Sequence, residues 1–283
     1  MPDLHTLMRG ISFGESPRWH DGRLWFADWA AEELIAVDLE GNSEVVFRVP
    51  SFPFSFDWLP DGQLLIISAR DQAVLTPGPD GSLVTYADVS VVSDRPPGNE
   101  IVVDGRGHVY VNGGGFNPMA GEAVAPGMIA LVGPDGSVRR VADGLEFPNG
   151  MAVTPDNSTL IVAESYGRRL TAFPIAADGG LGERRVWAAL GDGVPDGICI
   201  DAEGAVWYAD VPNQRCVRVA EGGAVLATIE VDRGCFACML GGPGGATLFI
   251  VAQEWHGMTD IDTSARTGRL LSTSAPAIHA GWP

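Results

Sequence analysis

The chain has 283 residues, of which 46% are hydrophobic, so it can bury a large core, while 37 glycines and 20 prolines are more turn residues than a helical protein accommodates. Its formal net charge is −18. Nucleic acids and anionic membrane surfaces both require basic patches on their partners, so this charge argues against both. No apolar run has the length of a signal peptide core or a membrane span, and we therefore expect a cytoplasmic protein.

Six segments of the chain repeat one outline, a polar or aromatic start, an apolar run, a turn and a second strand rich in β-branched residues. They begin at residues 15, 55, 99, 149, 196 and 236. The turns inside them recur at matching offsets and read HDG, LPDG, VDGRG, TPDN, DAEG and GPGG. A spacing of 40 to 50 residues fits four short strands per repeat, which is the size of one propeller blade.

The repeat predicts an all-β protein, a six-bladed β-propeller that forms a single domain over residues 1–283. Windows with helical periodicity and capping signals are missing from the sequence. The segments around Met8 and in GRLLSTSAP are expected to close the ring together, because an open sheet edge invites aggregation. A pair of β-sandwiches is the alternative, but it does not explain the sixfold spacing.

The first strand of every propeller blade runs along the central axis, so the six starts should converge on one small ring. The residues at this position are Glu15, Ser55 or Phe56, Asn99, Asn149, Asp196, and Cys235 or Phe236. Two carboxylates and two carboxamides are among them, and none of these four is a thiolate or an imidazole. An all-oxygen set of this kind suits a hard divalent cation, Ca²⁺ above all, and predicts a central metal site.

Each of these residues can also be an ordinary turn residue. Asn149-Gly150, taken alone, is typical of a two-residue hairpin turn, and Asp196-Gly197 is a similar pair. Glu15 is not a favoured turn residue, and the shared position in the repeat favours a ligand set over four separate turns. Gly150 is then expected to let the backbone bend so that the Asn149 oxygen faces the ion.

Several longer motifs carry a family resemblance. In chain order they are GESPRWHDGRLWFADW, EFPNGMAVTPD, VPDGICIDAEGAVWYAD, RGCFACMLGG and TGRLLSTSAPAIHAGWP. They resemble the senescence-marker-protein (regucalcin)/gluconolactonase/luciferin-regenerating-enzyme family over nearly the whole chain. The resemblance implies a six-bladed propeller with one axial divalent metal that hydrolyses lactones. It places the metal ligands at Glu15, Asn149 and Asp196, with Ca²⁺ first and Zn²⁺, Mn²⁺, Mg²⁺ or Fe²⁺ as alternatives.

The substrate side of the resemblance is less complete. Asn99 matches a family Asn near metal and substrate. Sugar-lactonase members carry an Arg two residues earlier, where this chain has Pro97 with Arg95 nearby. They carry an acidic residue eighteen positions later, where this chain has Asn117, five residues before an acid. Asn99, Asn117 and Arg95 are therefore the predicted substrate contacts, and both departures from the sugar-lactonase pattern fall among these contacts.

The implied mechanism is metal-assisted hydrolysis of a small lactone, with the cation polarising the carbonyl and Asp196 acting as general base. A G-x-S-x-G nucleophile motif is missing, and the histidines occupy no repeated position. His256 is a candidate for the pocket mouth, together with Trp255. Phe116 and Trp29 are further candidates, for which blade packing is the more ordinary interpretation.

Two other functions use the same features. The protein can be a non-catalytic calcium- or ligand-binding propeller, or it can hydrolyse organophosphate esters with the same metal. The cysteines, Cys199, Cys216, Cys235 and Cys238, suggest neither a disulfide framework nor a zinc site and are expected to be small buried hydrophobes. Tryptophans such as Trp25, Trp58 and Trp207 are expected to pack between blades.

Overall fold

The computed structural model describes residues 3–95, 98–117, 120–257 and 264–281, and in these ranges 24 strands form six four-stranded antiparallel sheets. Blade 1 contains β2 (Gly14–His20), β3 (Arg23–Asp28), β4 (Glu33–Val37) and β5 (Ser43–Arg48). Blade 2 contains β6 (Phe54–Trp58), β7 (Leu64–Ser68), β8 (Ala73–Pro77) and β9 (Leu83–Asp88), followed by a short 3₁₀ turn (Ser90–Val92). Blade 3 contains β10 (Glu100–Val103), β11 (Val109–Gly113), β12 (Gly127–Val132) and β13 (Val138–Leu145).

The remaining three sheets follow the same order. Blade 4 contains β14 (Pro148–Val153), β15 (Thr159–Glu164), β16 (Arg169–Pro174) and β17 (Arg185–Ala189). Blade 5 contains β18 (Pro195–Ile200), β19 (Val206–Asp210), β20 (Arg215–Val219) and β21 (Val225–Glu230). Blade 6 contains β22 (Gly234–Gly241), β23 (Thr247–Gln253), β24 (Gly268–Ser274) and, from the start of the chain, β1 (His5–Ile11).

The first strands of the blades form a closed ring. Strand β2 contacts β6 and β22, and the ring continues through β10, β14 and β18, so that each first strand touches those of both neighbouring blades. This arrangement confirms the six-bladed β-propeller that the repeat predicts, and it rules out the pair of β-sandwiches.

The two ends of the chain close the ring within blade 6. Strand β1 pairs antiparallel with β24, with His5 opposite Ser272 and Ile11 opposite Gly268. The outermost strand of the last blade therefore comes from the beginning of the chain, as predicted. The pairing covers the exposed edge that β24 would otherwise present.

The repeated turns connect the first and second strands of the blades. Each contains at least one residue in the left-handed region of positive φ, which glycine and asparagine adopt at low cost. These residues include Gly22, Gly62, Gly107, Asn157, Gly204 and Gly245, and the first and last turns add Asp21 and Gly242. The matching offsets in the sequence thus reflect one turn geometry that recurs in every blade.

The core lies between the blades rather than inside one sheet. Each large cluster of buried side chains mixes residues of adjacent sheets, because both faces of a blade are covered by its neighbours. Trp25 and Trp58 pack between blades 1 and 2, and Trp207 packs near the junction of blades 5 and 6, as expected. The second strands are fully or almost fully buried, whereas the fourth strands face solvent with most of their residues.

The four cysteines are all free and buried, and all belong to the core cluster around blades 5 and 6. This confirms their prediction as small apolar core residues. In the part of the chain that the structure describes, no helix is long and apolar enough to cross a membrane.

Candidate functional site

A cavity of about 640 Å³ opens at the end of the ring where the first strands begin. Glu15, Asn99, Asn149 and Asp196 line it, and they come from blades 1, 3, 4 and 5. The structure therefore brings together the four oxygen-bearing residues that share a position in the repeat. A volume of this size lies within the range of small-molecule sites.

The same irregularity in the strand ladder positions three of these residues. In β2, β14 and β18, one extra residue is inserted against the second strand of the blade, between Glu15 and Arg18, between Pro148 and Met151, and between Pro195 and Ile198. A β-bulge of this kind redirects side chains and is common next to active sites. Asn149-Gly150 is thus part of a bulge within a strand, not a hairpin turn.

The glycines after Asn149 and Asp196 are required by close packing. A Cβ atom on Gly150 would lie 2.6 Å from the Asp196 carbonyl oxygen, and one on Gly197 would lie 2.5 Å from the Ala237 Cβ. Gly150 has no positive φ. Gly150 lies in the bulge of β14, and its missing side chain also lets β14 approach β18, which holds Asn149 beside Asp196. The orientation of the Asn149 oxygen toward an ion stays a prediction.

Glu15 and Asp196 are two buried carboxyl groups, 4% and 8% exposed. Burial raises the pKa of Glu15 well above its ordinary value, and the nearby Asp196 and Glu100 raise it further. Burial, followed by the charge of Glu100, likewise raises the pKa of Asp196 well above its ordinary value, although a hydrogen bond from Asn149 opposes this. The Asp196 Oδ1 atom is buried without any hydrogen-bond partner. Two buried acids therefore lie at the axis, and no cationic side chain of the described residues is among the charged neighbours that shift their pKa.

A network of amide and hydroxyl groups orients Asn149. Asn99 donates from Nδ2 to the Asn149 Oδ1 atom over 3.2 Å, and Asn112 donates to the Asn149 carbonyl oxygen over 2.6 Å. Ser165 accepts from Asn149 Nδ2 at 3.5 Å and donates to the carbonyl oxygen of Pro195 at 2.7 Å. Ser165 thereby links Asn149 to the strand that carries Asp196. Sequence reasoning missed Asn112 and Ser165, although both lie near the end of a second strand within the repeated segments.

The candidate substrate residues have different surroundings. Arg95 and Asn117 line the cavity, but Arg95 forms an ion pair with Glu122, and Asn117 Oδ1 accepts from the Ala120 N–H over 3.2 Å. The Arg95 hydrogen bond lowers the pKa of Glu122. The two charged residues nearest the departures from the sugar-lactonase pattern, Arg95 and Glu122, thus partner each other. Pro97 lies outside the described residues.

His256 is exposed and does not line the cavity, whereas its neighbour Trp255 does. The loop after β23 therefore contributes an indole rather than an imidazole to the wall. Phe116 and Trp29, for which packing was the more ordinary interpretation, both belong to the lining as well. Further rings in the lining come from Phe13, Phe52, Phe147 and Phe236. Phe236 shares the axial position of the repeat, where the sequence offered it together with Cys235, whereas Phe13, Phe52 and Phe147 had no signal because they lie in loops.

A third buried acid, Glu100, was also missed, although it follows Asn99 directly. Its carboxylate accepts from Arg18 Nη2 and Ser16 Oγ, each at 3.2 Å, and from Ser55 Oγ. Arg18 lies further along β2 and also lines a second cavity, of about 250 Å³, at the opposite end of the first strands. Arg18, three residues after Glu15 in a strand that runs along the axis, was the available sequence signal, because a buried arginine requires an acidic partner.

The acidic and sulfur-bearing side chains of the described residues include no group of three or more His, Cys, Asp or Glu that forms a metal site. The axial set instead combines two carboxylates with carboxamides. Its chemistry fits a hard cation, since all its potential ligands are oxygens, two acids are buried together and one carboxylate oxygen has no partner. The central metal site therefore stays a prediction.

Comparison with known proteins identifies the family. The SMP-30/Gluconolactonase/LRE-like region matches residues 13–254, which is most of the chain. The chain belongs to this family. Regucalcin from Xenopus laevis is 27% identical over 252 residues, covering 84% of this chain and 82% of the relative. A pentonolactonase from Haloferax volcanii is 26% identical over 245 residues, covering 77% of this chain and 80% of the relative.

Solved structures support the fold. A protein from Agrobacterium tumefaciens described as a calcium-binding protein, regucalcin, superimposes with a TM-score of 0.78 at 22% identity, covering 99% of this chain and 95% of that one. The family resemblance drawn from the sequence motifs is confirmed. At these identities the substrate of a relative remains a property of that relative.

Proposed function

We propose that the protein is a divalent-metal-dependent lactonase that opens a small lactone by attack of water. The observation that carries this proposal is the buried Asp196 carboxylate, whose Oδ1 has no hydrogen-bond partner, beside Glu15 at an open cavity. Perturbed carboxyl groups in a cavity are characteristic of catalytic sites. Membership of a family that includes a pentonolactonase supports the same reaction class.

Glu15, Asn149 and Asp196 are the proposed ligands of the cation. Two carboxyl groups buried together must be either protonated or compensated by positive charge, and among the lining residues no cation is placed to compensate them. Their oxygen-only chemistry favours Ca²⁺, as does the structural likeness to a calcium-binding regucalcin; Mg²⁺, Mn²⁺, Zn²⁺ and Fe²⁺ are alternatives. Asn149 Oδ1 now accepts from Asn99, so its ligand role requires that oxygen to turn toward the cation.

The bound cation would supply Lewis acidity toward the lactone carbonyl oxygen and would offset the charge that develops there. Asp196 Oδ1 is the proposed base, which accepts a proton from the attacking water. That proton then passes to the ring oxygen as the acyl bond breaks, so that water and lactone give one hydroxy acid.

Asn99 is proposed to hold Asn149 in place and to contact the substrate with Asn117, while Arg95 shapes the rim through its pair with Glu122. His256 is proposed only for the entrance, because Trp255 occupies the wall. The net charge of −18 favours release of a carboxylate product.

Hydrolysis of δ-valerolactone, followed by proton release, tests the proposal. Chelator-treated protein should be inactive and should recover with Ca²⁺ or another divalent cation. Asp196→Asn should lower kcat by about 10³-fold, because it removes the proton acceptor. The matched variant Asp57→Asn, at the opposite end of the same ring of strands, should keep kcat within about threefold.

Unchanged turnover after chelation, or in Asp196→Asn, would contradict the proposal. Cation binding without hydrolysis of any lactone would instead indicate a non-catalytic binding propeller.

A further inference from the structure

The wall of the axial cavity is built largely from aromatic rings. Seven of the residues that line it are Phe or Trp, from blades 1, 2, 3, 4 and 6 or the loops next to them. They are Phe13, Trp29, Phe52, Phe116, Phe147, Phe236 and Trp255. The aromatic lining is therefore built by most of the blades and does not come from a single loop.

Five of these rings form one continuous group, which we call the aromatic wall: Phe13, Trp29, Phe52, Phe236 and Trp255. Phe13 stacks on Trp29 with ring centroids 5.3 Å apart and planes within 2° of parallel. Phe52 and Phe236 meet Phe13 edge to face, at 5.7 Å and 5.1 Å. Trp255 meets Phe236 in the same way, at 5.6 Å. Rings that hold each other in such contacts present a preorganised apolar surface to a ligand.

On the side of blades 3 and 4, a second ring group continues the apolar lining. Phe116 and Phe147 both line the cavity, and their ring centroids lie 5.4 Å apart. Tyr166 stacks on Phe147 with a centroid distance of 4.7 Å. The space above the axial residues is thus flanked by rings on the sides of blades 1, 2 and 6 and of blades 3 and 4.

Few polar side chains remain on the wall. Outside the axial set, the polar side chains of the described lining are those of Arg70, Arg95 and Asn117, besides the two indole N–H groups. Each of the three already has a protein partner: Arg70 donates to the Pro50 carbonyl oxygen over 3.2 Å, Arg95 pairs with Glu122, and the Asn117 Oδ1 atom accepts a backbone N–H. The Trp29 indole N–H donates to the Phe54 carbonyl oxygen. A polyhydroxylated lactone would meet few polar side chains beyond the axial set, and hydroxyls left unpaired against the rings are costly in a buried site.

We infer that the preferred substrate is a lactone that carries an aromatic ring, fused to the lactone or attached to it, rather than a sugar lactone. The inference rests on the proposed lactonase function. The lactone ester would face Asp196 and Glu15, and the aromatic part would pack between the aromatic wall and the rings of blades 3 and 4. Stacked and edge-to-face contacts then supply binding energy that a polyol cannot use.

Three neutral lactones separate the alternatives: 3,4-dihydrocoumarin with a fused benzene ring, δ-valerolactone as the bare ring, and D-glucono-δ-lactone as the polyol. Because their intrinsic reactivities differ, kcat/KM is divided by the rate constant for uncatalysed hydrolysis in the same buffer. The ratio for dihydrocoumarin should exceed that for gluconolactone by about 100-fold or more. A ratio for gluconolactone equal to or above that for dihydrocoumarin would overturn the inference.

Phe52→Ala tests the wall itself, since Phe52 lies at the exposed rim and its loss should leave the fold intact. It should raise KM for dihydrocoumarin about tenfold, and its effect on kcat/KM should be several-fold larger for dihydrocoumarin than for δ-valerolactone. The matched control is Phe47→Ala, the same change on the outermost strand of blade 1, away from the cavity. Equal effects of both variants, or equal effects of Phe52→Ala on both lactones, would contradict the inference.

A binding measurement removes any dependence on chemistry. In isothermal titration calorimetry, the cyclic amide 3,4-dihydro-2-quinolinone should bind at least tenfold more tightly than δ-valerolactam, and Phe52→Ala should abolish most of this difference. Equal affinities for the two amides would count against the aromatic site even if lactones are hydrolysed. If no lactone is hydrolysed and Asp196→Asn behaves as the parent protein, the proposed function fails instead. Tighter binding of the aromatic amide that depends on Phe52 would still stand as evidence for the site.

Discussion

The two ends of the ring of first strands contain buried carboxyl groups in opposite electrostatic situations. Glu15 and Asp196 lie where the strands begin, with each other and Glu100 as their charged neighbours. Further along the same strands, Arg18 meets Glu100 at 3.2 Å and lowers the pKa of Asp57 against the effect of burial. Glu15 and Asp196 have no cation among these charged neighbours, and they face the larger of the two cavities. Glu100 and Asp57, in contrast, have the Arg18 guanidinium beside them.

The difference separates a structural use of buried charge from a functional one. A buried ion pair satisfies its own charges and leaves little for a ligand to gain. Two uncompensated acids are unfavourable in the folded protein, and a cation or a reacting proton donor relieves them. The distinction depends on Arg18, which follows Glu15 by three residues. Arg18 pairs with Glu100 and lowers the pKa of Asp57.

Loss of Arg18 is expected to have the largest effect on stability. Arg18→Met should lower the free energy of unfolding by about 3–5 kcal/mol, because it leaves Glu100 and Asp57 buried without a cation. Urea unfolding at pH 7 measures the change, and adding Glu100→Gln should recover part of it. Arg23→Met, which breaks the exposed pair with Glu44, should cost at most about 1 kcal/mol. If Arg18→Met and Arg23→Met lower the free energy of unfolding equally, the buried Arg18–Glu100 pair does not stabilise the protein as proposed.

Much of this architecture could be predicted, because it follows from local pattern. The repeated turns and the six starts gave the blades, and the shared position of Asn99 and Asn149 matches their 3.2 Å contact. The bulges were hidden, since Asn149-Gly150 has the composition of a hairpin turn and only the pairing partner distinguishes the two. The aromatic wall and the Arg18–Glu100 pair were also hidden, because they join residues far apart in the chain.

Asp57 should make stability depend on pH at the compensated end. Burial raises its pKa to about 6, despite Arg18, from an ordinary value of 3.8. The folded protein therefore holds this proton more tightly, and stability falls as pH rises from about 4 to 6, by roughly 3 kcal/mol from this group. Asp57→Asn should flatten the pH dependence over that window.

The slope is the informative quantity in this experiment. Asp57 accepts the Val103 and Trp58 N–H groups, at 2.8 Å and 2.9 Å, and Asn can accept only one of them, so absolute stability at pH 4 should fall. Urea midpoints at pH 4, 5, 6 and 7 give the slope. An unchanged slope would mean that Asp57 titrates as it does in the unfolded chain.

Ser165 should have the smallest effect, confined to the uncompensated end. Ser165→Ala removes the hydrogen-bonded link between Asn149 and Pro195. It should lower kcat/KM for the lactone about three- to tenfold and lower the free energy of unfolding by about 1 kcal/mol. Ser158→Ala, on an exposed turn of the same blade, should change neither quantity measurably. Loss of stability without loss of activity would limit Ser165 to a structural role.

Calcium binding to chelator-treated protein, measured by isothermal titration calorimetry, tests the contrast between the two ends most directly. The account predicts one Ca²⁺ per chain, binding lost in Glu15→Gln and in Asp196→Asn, and binding retained in Asp57→Asn, because Asp57 has Arg18 as a neighbouring cation and the two axial acids have none among their charged neighbours. Affinity should also weaken as pH falls, since protons compete for carboxyl groups whose pKa is raised. Absence of binding by the parent protein, or binding that survives both axial substitutions, would contradict it.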